Sequence, residues 1–203
     1  MSSRWNIVLI GMPGAGKSTV GVLLAKHLGL SFVDTDLIVQ ERAGRRLQGI
    51  VDGGGYRELR RLEEEAILGI ISGGAVIATG GSAVYSERAM GHLARGGTLV
   101  YLRAALELLE SRIDDYDRRG IANPSGQSFA EIFAERTPLY EHYAEVTVDV
   151  DGRTPAQVSE AVMAALAARR ESDGRRGGAE RGTPTGRTEG STVGVRSDRT
   201  PQP

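Results

Sequence analysis

Gly11-Met12-Pro13-Gly14-Ala15-Gly16-Lys17-Ser18 fits the pattern G-x-x-x-x-G-K-[ST], and the residues on either side of it decide the fold. Before it, Asn6 to Ile10 is an apolar run of strand length. After it, Lys17 to Leu28 places Val20, Leu23, Leu24 and Leu28 at helical spacing, and Gly29 stops the helix. A strand, a glycine-rich turn and a helix in that order form a phosphate-binding loop. Each residue type has a reason. Glycines let the backbone wrap closely enough to aim N–H groups at phosphate oxygens. The helix N-terminus adds its dipole. The expected nucleotide-binding set is Gly14, Ala15, Gly16, Lys17, Ser18 and Thr19, with Lys17 reaching the β- and γ-phosphates and Ser18 offering a hydroxyl to Mg²⁺.

Outward from the loop, short β-rich runs alternate with helical patterns. Leu30–Val33, Ala75–Ala78, Thr98–Leu102 and Val146–Val150 read as further strands. Asp36–Ala43, Arg57–Ile71, Ala105–Ile113, Ser128–Glu135 and Thr154–Ala168 read as helices, the last with Thr154 as N-cap and Pro155 at its first position. Short connections between alternating strands and helices predict an α/β three-layer sandwich: a five-stranded parallel sheet covered by helices on both faces.

Composition sets the limits. The chain has 203 residues and a formal net charge of −1, which removes the electrostatic argument for nucleic acid or a membrane surface as partner. It has no Cys, which excludes disulfides, zinc–thiolate sites and thiol catalysis. No stretch reaches the ~18 apolar residues of a membrane span, and no targeting segment stands at the N-terminus, so the expectation is a cytoplasmic protein. Composition shifts near residue 171. Glu171–Pro203 has no aromatic and only Val193 and Val195 as large aliphatics. The expected division is therefore a domain over 1–170 and a disordered C-terminal tail over 171–203.

Several charged positions stand where ligands bind in such sheets, outside the carboxyl ends of strands. Asp34 and Asp36 close the second strand. Asp34 is placed to hold a Mg²⁺-bound water and Asp36 to accept a hydrogen bond from a substrate hydroxyl; either acid alone also reads as a cap of the next helix. Gly80-Gly81-Ser82 follows the third strand, where paired glycines expose backbone N–H groups to a ligand. Arg57, Arg60, Arg61, Glu63, Glu64 and Glu65 read mostly as solvated pairs along a helix, with Arg60 and Glu64 on one face. The polar segment 113–128, with Arg118 and Arg119, is a candidate lid. Arg136, before Thr137-Pro138-Leu139-Tyr140, can clamp a carboxylate bidentately. His27, His92 and His142 lie on separate helices and read as structural.

A body of this size with a phosphate loop, but without the base-selecting motifs of GTPases, fits a small-molecule kinase. The residues together resemble the shikimate kinase family over nearly all of residues 5–168. The resemblance rests on the loop at Gly11–Ser18, Asp34-x-Asp36, Arg60 with Glu63 and Glu64, and Arg136 before x-Pro-Leu-Tyr. It implies transfer of the ATP γ-phosphoryl group to shikimate by a monomer that needs Mg²⁺. In that reading Lys17, Asp36 and the lid residue Arg119 are catalytic, and Arg112 lies against the nucleotide. Ser18 and Asp34 serve the metal, and Asp36, Arg60, Gly80, Gly81, Ser82 and Arg136 hold the acceptor. The chain departs from the family pattern at Ser82, where the family has a third glycine, and at Leu59 and Val51, where it has Phe. The loss of two rings implies a wider acceptor pocket, so a kinase for another hydroxy acid or sugar acid is the alternative. A non-catalytic nucleotide-sensing module is a further one.

Overall fold

A computed structural model describes residues 5–71, 73–112 and 127–179. The strands are β1 (Asn6–Ile10), β2 (Ser31–Asp34), β3 (Ala75–Ala78), β4 (Gly97–Arg103) and β5 (Val146–Asp149). The helices are α1 (Lys17–Leu28), α2 (Thr35–Ala43), α3 (Leu47–Leu68), α4 (Glu87–Gly96), α5 (Leu106–Arg112), α6 (Phe129–Tyr143) and α7 (Pro155–Ala179). All strands pair in parallel in the order β2-β3-β1-β4-β5. β1 is central, between β3 and β4, and its residues are all buried, which is why it reads as an unbroken apolar run rather than an alternating one. β2 is an edge strand, so Phe32 and Val33 are only partly buried. The expected α/β three-layer architecture is the one observed.

Two apolar clusters hold the fold. The larger spans the sheet and its covering helices, from Ile7, Val8 and Leu9 to Met90, Ile132 and Val162. A smaller one, Val39, Ile50, Leu59 and Ala66, binds α2 to α3. Burying side chains of this size stabilises by roughly 1.5–3 kcal/mol each. The second cluster thus fixes the elements that carry Asp36 and Arg60.

Four sequence expectations need correction. The helix expected over 57–71 begins at Leu47 and is broken at Gly55 (φ 73°, ψ 177°), a conformation that glycine adopts without strain. Its second half is the amphipathic stretch read from sequence. Helix α4 is an addition to the expected elements, although Ser86 caps it (its side chain accepts from Ala89 N) and Ala89, Met90 and Leu93 are buried at helical spacing. Helix α6 does not stop at Glu135 but runs through Pro138 to Tyr143, because Tyr140 and its neighbours are held by packing that outweighs one lost backbone donor. Helix α7 continues to Ala179, past the boundary set at residue 170. Composition reports which residues can bury surface, not where a helix stops making backbone hydrogen bonds. The chain divides into two compact units, Met1–Ala168 and Arg169–Pro203. Residues 180–203 of the expected tail lie outside the described residues, as do Arg118, Arg119 and nearly all of the expected lid.

Candidate active site

The phosphate loop joins the carboxyl end of β1 to α1. Gly14 and Gly16 have φ of 85° and 88°, in the left-handed region where side chains are strained. Helix α1 has Gly16 as N-cap with no side-chain cap and no acid in its first turn. Its first N–H groups therefore face the cleft without a side-chain acceptor, which suits an anion. Lys17 is buried, and its Nζ donates to Gly11 O at 2.7 Å and Met12 O at 2.9 Å. Burial lowers its pKa to about 8, opposed chiefly by the charges of Asp36 and Asp34. Ser18 and Thr19 are exposed at the mouth. Arg112 Nη1 donates to Gly14 O at 3.1 Å, which places it on the same loop.

The loop forms the floor of a cleft of about 730 Å³. Asp36, Glu63, Ser82 and Arg136 line it, together with Val150, Arg153, Pro155 and Val158. Asp34 Oδ1 accepts from Asp36 N at 3.0 Å, so Asp34 is the cap of α2. The capping alternative is thereby settled for Asp36: it caps nothing, and its Oδ1 is buried without a hydrogen-bond partner. Burial, then the charge of Asp34, raises its pKa to about 6 against the pull of Lys17.

Gly80 does a different job from the one expected. Its N–H is taken by Thr35 Oγ1 at 2.9 Å, so it has none to offer a ligand, and Gly80 does not line the cleft. A Cβ there would land on the Glu63 carboxylate and lie 2.7 Å from Asp36 Oδ1. The missing side chain makes room for two carboxyl groups. Gly81 does line the cleft, and its carbonyl accepts from Tyr140 Oη at 2.6 Å. A Cβ at Gly81 would lie 2.8 Å from Pro13. Ser82 turns its hydroxyl onto Glu63 Oε2.

The charged stretch of α3 splits by face. Arg61 pairs with Glu58 at 2.9 Å and Glu65 at 2.6 Å in solvent, as expected. Glu64 does not pair with Arg60; it accepts from Ser86 Oγ and from Arg88. Arg60 instead stacks on Tyr85, its Cζ 3.6 Å from the ring centroid, with Tyr56 at 5.0 Å. Arg60 Nε is buried without a hydrogen-bond partner, and Arg60 stands beside rather than in the lining of the cleft. Arg136, 1 % exposed on α6, sends Nε to Tyr85 Oη at 3.3 Å. Burial works against its charge, but Tyr140, Tyr85 and Glu63 leave its pKa raised. A phosphate loop, an unsatisfied carboxylate and a buried guanidinium thus share one cleft, which is the equipment of phosphoryl transfer to a hydroxyl on an anionic acceptor.

Comparison with known proteins agrees. The family model for shikimate kinase matches residues 13–167. The chain belongs to the shikimate kinase family. It is 38% identical over 170 residues to the shikimate kinase of Thiobacillus denitrificans, covering 82% of this chain and 92% of that one. It is 39% identical over 164 residues to that of Mycobacterium avium, covering 79% and 93%. Among solved structures, shikimate kinase from Acinetobacter baumannii in complex with shikimate superposes with a TM-score of 0.74 at 27% identity, covering 82% of this chain and 94% of that one. Shikimate kinase from Aquifex aeolicus gives 0.71 at 30% identity, covering 81% and 97%. Like its family, this chain is a phosphotransferase acting on a hydroxyl group with ATP as co-substrate.

For a shikimate kinase, the sequence reading misses several residues. Glu63 is grouped there with solvated acids, yet it is 4 % exposed in the cleft, and burial followed by the charge of Asp36 raises its pKa to about 8. A signal exists: Glu63 falls in line with Leu59, Ala66 and Ile67 on the buried stripe of α3. Tyr56, Tyr85, Tyr140 and Thr35 escape it too, because single aromatic and hydroxyl residues carry no spacing signature. The histidines lie apart: His92 Nε2 is 2.9 Å from Ile70 O, His27 faces Ser159, and His142 packs edge-on to Tyr143. Among the described residues no group of three His, Cys, Asp or Glu could hold a metal. Mg²⁺ is generally held by one or two protein oxygens and substrate phosphates rather than by a protein cage. The Ser18 hydroxyl and Asp34 carboxylate are hard oxygen donors of that kind.

Proposed function

We propose that the chain phosphorylates a hydroxyl of shikimate, drawing the γ-phosphoryl group from ATP. The observation that carries this reading is the convergence of Asp36, with a buried and unpartnered oxygen, and Arg136 on the cleft floored by the phosphate loop. Gly14–Thr19 orient the phosphates through backbone N–H groups, and Arg112, which lines the cleft and donates to Gly14 O, lies against the nucleotide. Lys17 leaves its loop carbonyls to meet the charge that develops between the β- and γ-phosphates. Asp36 accepts the proton of the attacking hydroxyl; a pKa of about 6 leaves it ionised at neutral pH. Arg136 and Arg60 bind the acceptor carboxylate, with Gly81 and Ser82 closing the pocket. Ser18 and Asp34 would hold Mg²⁺, which would supply positive charge against the phosphates.

The same reading makes the protein a cytoplasmic monomer without nucleic-acid or membrane partners. The net charge of −1 supports the absence of a nucleic-acid partner; among the described residues no helix is long and apolar enough to cross a membrane. Residues 171–203 are proposed to lie outside the catalytic domain.

The test is ADP release with Mg-ATP and shikimate, quinate or gluconate in turn, for the wild type and Arg136→Lys. Shikimate is expected to give the highest kcat/KM, and Arg136→Lys to raise its KM about tenfold or more, since lysine keeps the charge but loses the two-pronged donor. Preference for gluconate would overturn the acceptor assignment. ATP binding without phosphorylation of any acid would make the chain a nucleotide sensor.

A further inference from the structure

We propose that Tyr85 is a positioning residue that sets the spacing of the two carboxylate-binding guanidinium groups, Arg60 and Arg136; the proposal rests on the acceptor reading above. Two like charges aimed at one carboxylate repel each other when the site is empty. Something must hold them at a separation that a carboxylate can bridge. Tyr85 touches both. Its ring lies under Arg60, 3.6 Å from centroid to Cζ, where the negative face of the π system meets the cation. Its hydroxyl accepts from Arg136 Nε at 3.3 Å, and the Arg136 Cζ lies 5.3 Å from the same ring. Glu135, the residue before Arg136, accepts from Gln127 Nε2 at 3.1 Å, and Tyr85 is the chief cause that holds its pKa down. One side chain thus bridges α3 and α6 through the two groups that matter for acceptor binding.

The backbone places Tyr85 for this role. It ends the short 3-10 turn Ala83–Tyr85, which begins directly after Gly80-Gly81-Ser82. Tyr85 N donates to Ser82 O at 3.1 Å, and Gly81 O accepts from Tyr140 on α6, one helical turn beyond Arg136. The turn is therefore tied to the same helix that carries Arg136. Tyr56 faces Arg60 at 5.0 Å, so the Arg60 guanidinium sits between two rings. Its Nε is buried without a hydrogen-bond partner, so the rings are what hold the guanidinium in place. Tyr56 and Tyr85 restore aromatic surface near a pocket that has Leu59 and Val51 where the family pattern has phenylalanine.

Tyr85→Phe and Tyr85→Leu separate the two interactions. The first keeps the ring and removes the hydroxyl; the second removes both. Steady-state kinetics against shikimate and its neutral methyl ester, with ATP varied separately, give the readout. Tyr85→Phe is expected to raise shikimate KM about fivefold, for one charge-assisted hydrogen bond. Tyr85→Leu is expected to raise it about thirtyfold, because the cation–π attraction disappears together with the hydrogen bond. The KM for ATP and kcat should stay within about twofold, and the preference for acid over ester should fall in the same order. Unchanged shikimate KM in both variants, with the wild type active on shikimate, would overturn the role of Tyr85 alone. So would losses that fall equally on kcat, ATP and shikimate. If the wild type phosphorylates no carboxylate acceptor, the functional reading and this inference fall together.

Discussion

Asp36→Asn is expected to abolish turnover while making the folded protein more stable. Asp36 has a carboxyl oxygen that is buried without a partner, and its pKa rises from 3.8 to about 6. Ionising it in the folded chain therefore costs about 3 kcal/mol more than in the unfolded chain. The sign follows from proton counting. Between about pH 4 and about pH 6 the folded protein holds a proton that the unfolded chain has released, so stability falls as pH rises through that window. Asparagine carries no such proton. The gain should be absent near pH 4, grow through the window and level off above about pH 6. Part of it is returned, because Asp36 is the largest charge supporting Lys17, whose ammonium is itself buried. A net gain of about 2 kcal/mol is expected at neutral pH, which corresponds to a melting-temperature rise of about 4–8 °C for a domain of this size. Urea denaturation of both proteins at pH 5 and pH 7.5, with equal m-values, measures it. A variant that is no more stable at pH 7.5, or equally more stable at both pH values, would refute the electrostatic argument. A variant that keeps turnover would refute the role of Asp36 at the acceptor hydroxyl.

The kcat/KM profile against pH should be bell-shaped, with an acid limb near about 6 as Asp36 takes up its proton and an alkaline limb near about 8 as Lys17 loses its own. Glu63 titrates in the same upper range, so the limb must persist in Glu63→Gln if Lys17 is its source. Gly80→Ala places a methyl on the Glu63 carboxylate and within 2.7 Å of Asp36 Oδ1, and should lower kcat about a hundredfold with ATP affinity retained. A kcat within a few-fold of the wild type would mean that the two carboxylates have room to move apart.

How much of the fold and site is legible in the sequence follows from the range of each interaction. The strands and the phosphate loop are legible because their signals are local: an apolar run such as Asn6–Ile10, or glycines at fixed offsets from Lys17. Asp36 is legible because it follows the carboxyl end of β2, where ligands bind in such sheets, and Arg136 through the Thr137-Pro138-Leu139-Tyr140 stretch that follows it. Gly80 stands out in the sequence but invites the wrong role, since a glycine that receives a ligand and one that makes room for two carboxylates look alike until Thr35 and Glu63 are in place. Glu63 and Arg60 are blurred by their neighbours: seven charged residues crowd positions 57–65 of one helix, and only the twist of α3 decides which face water. Tyr85 leaves no trace, because its role depends on α3 and α6 meeting across residues far apart in the chain.

The displaced pKa values in the cleft point the same way. Lys17 is pushed toward its neutral form, and Asp36 and Glu63 toward theirs. In each case burial is the largest cause, so the cleft holds its charges with less support than water would give them. An anionic nucleotide gives Lys17 a partner, and an acceptor hydroxyl gives Asp36 a donor for its bare oxygen. On the proposed reading, an acceptor carboxylate adds contacts to Arg60 and Arg136. Binding therefore relieves costs that folding incurred, and the relief is greatest for ligands that bring these groups together. A neutral polyol of the same size satisfies Asp36 but leaves the guanidinium pair unbridged. Discrimination by this site should for that reason rest on the acceptor's charge more than on its shape, even with Leu59 and Val51 in place of aromatic rings.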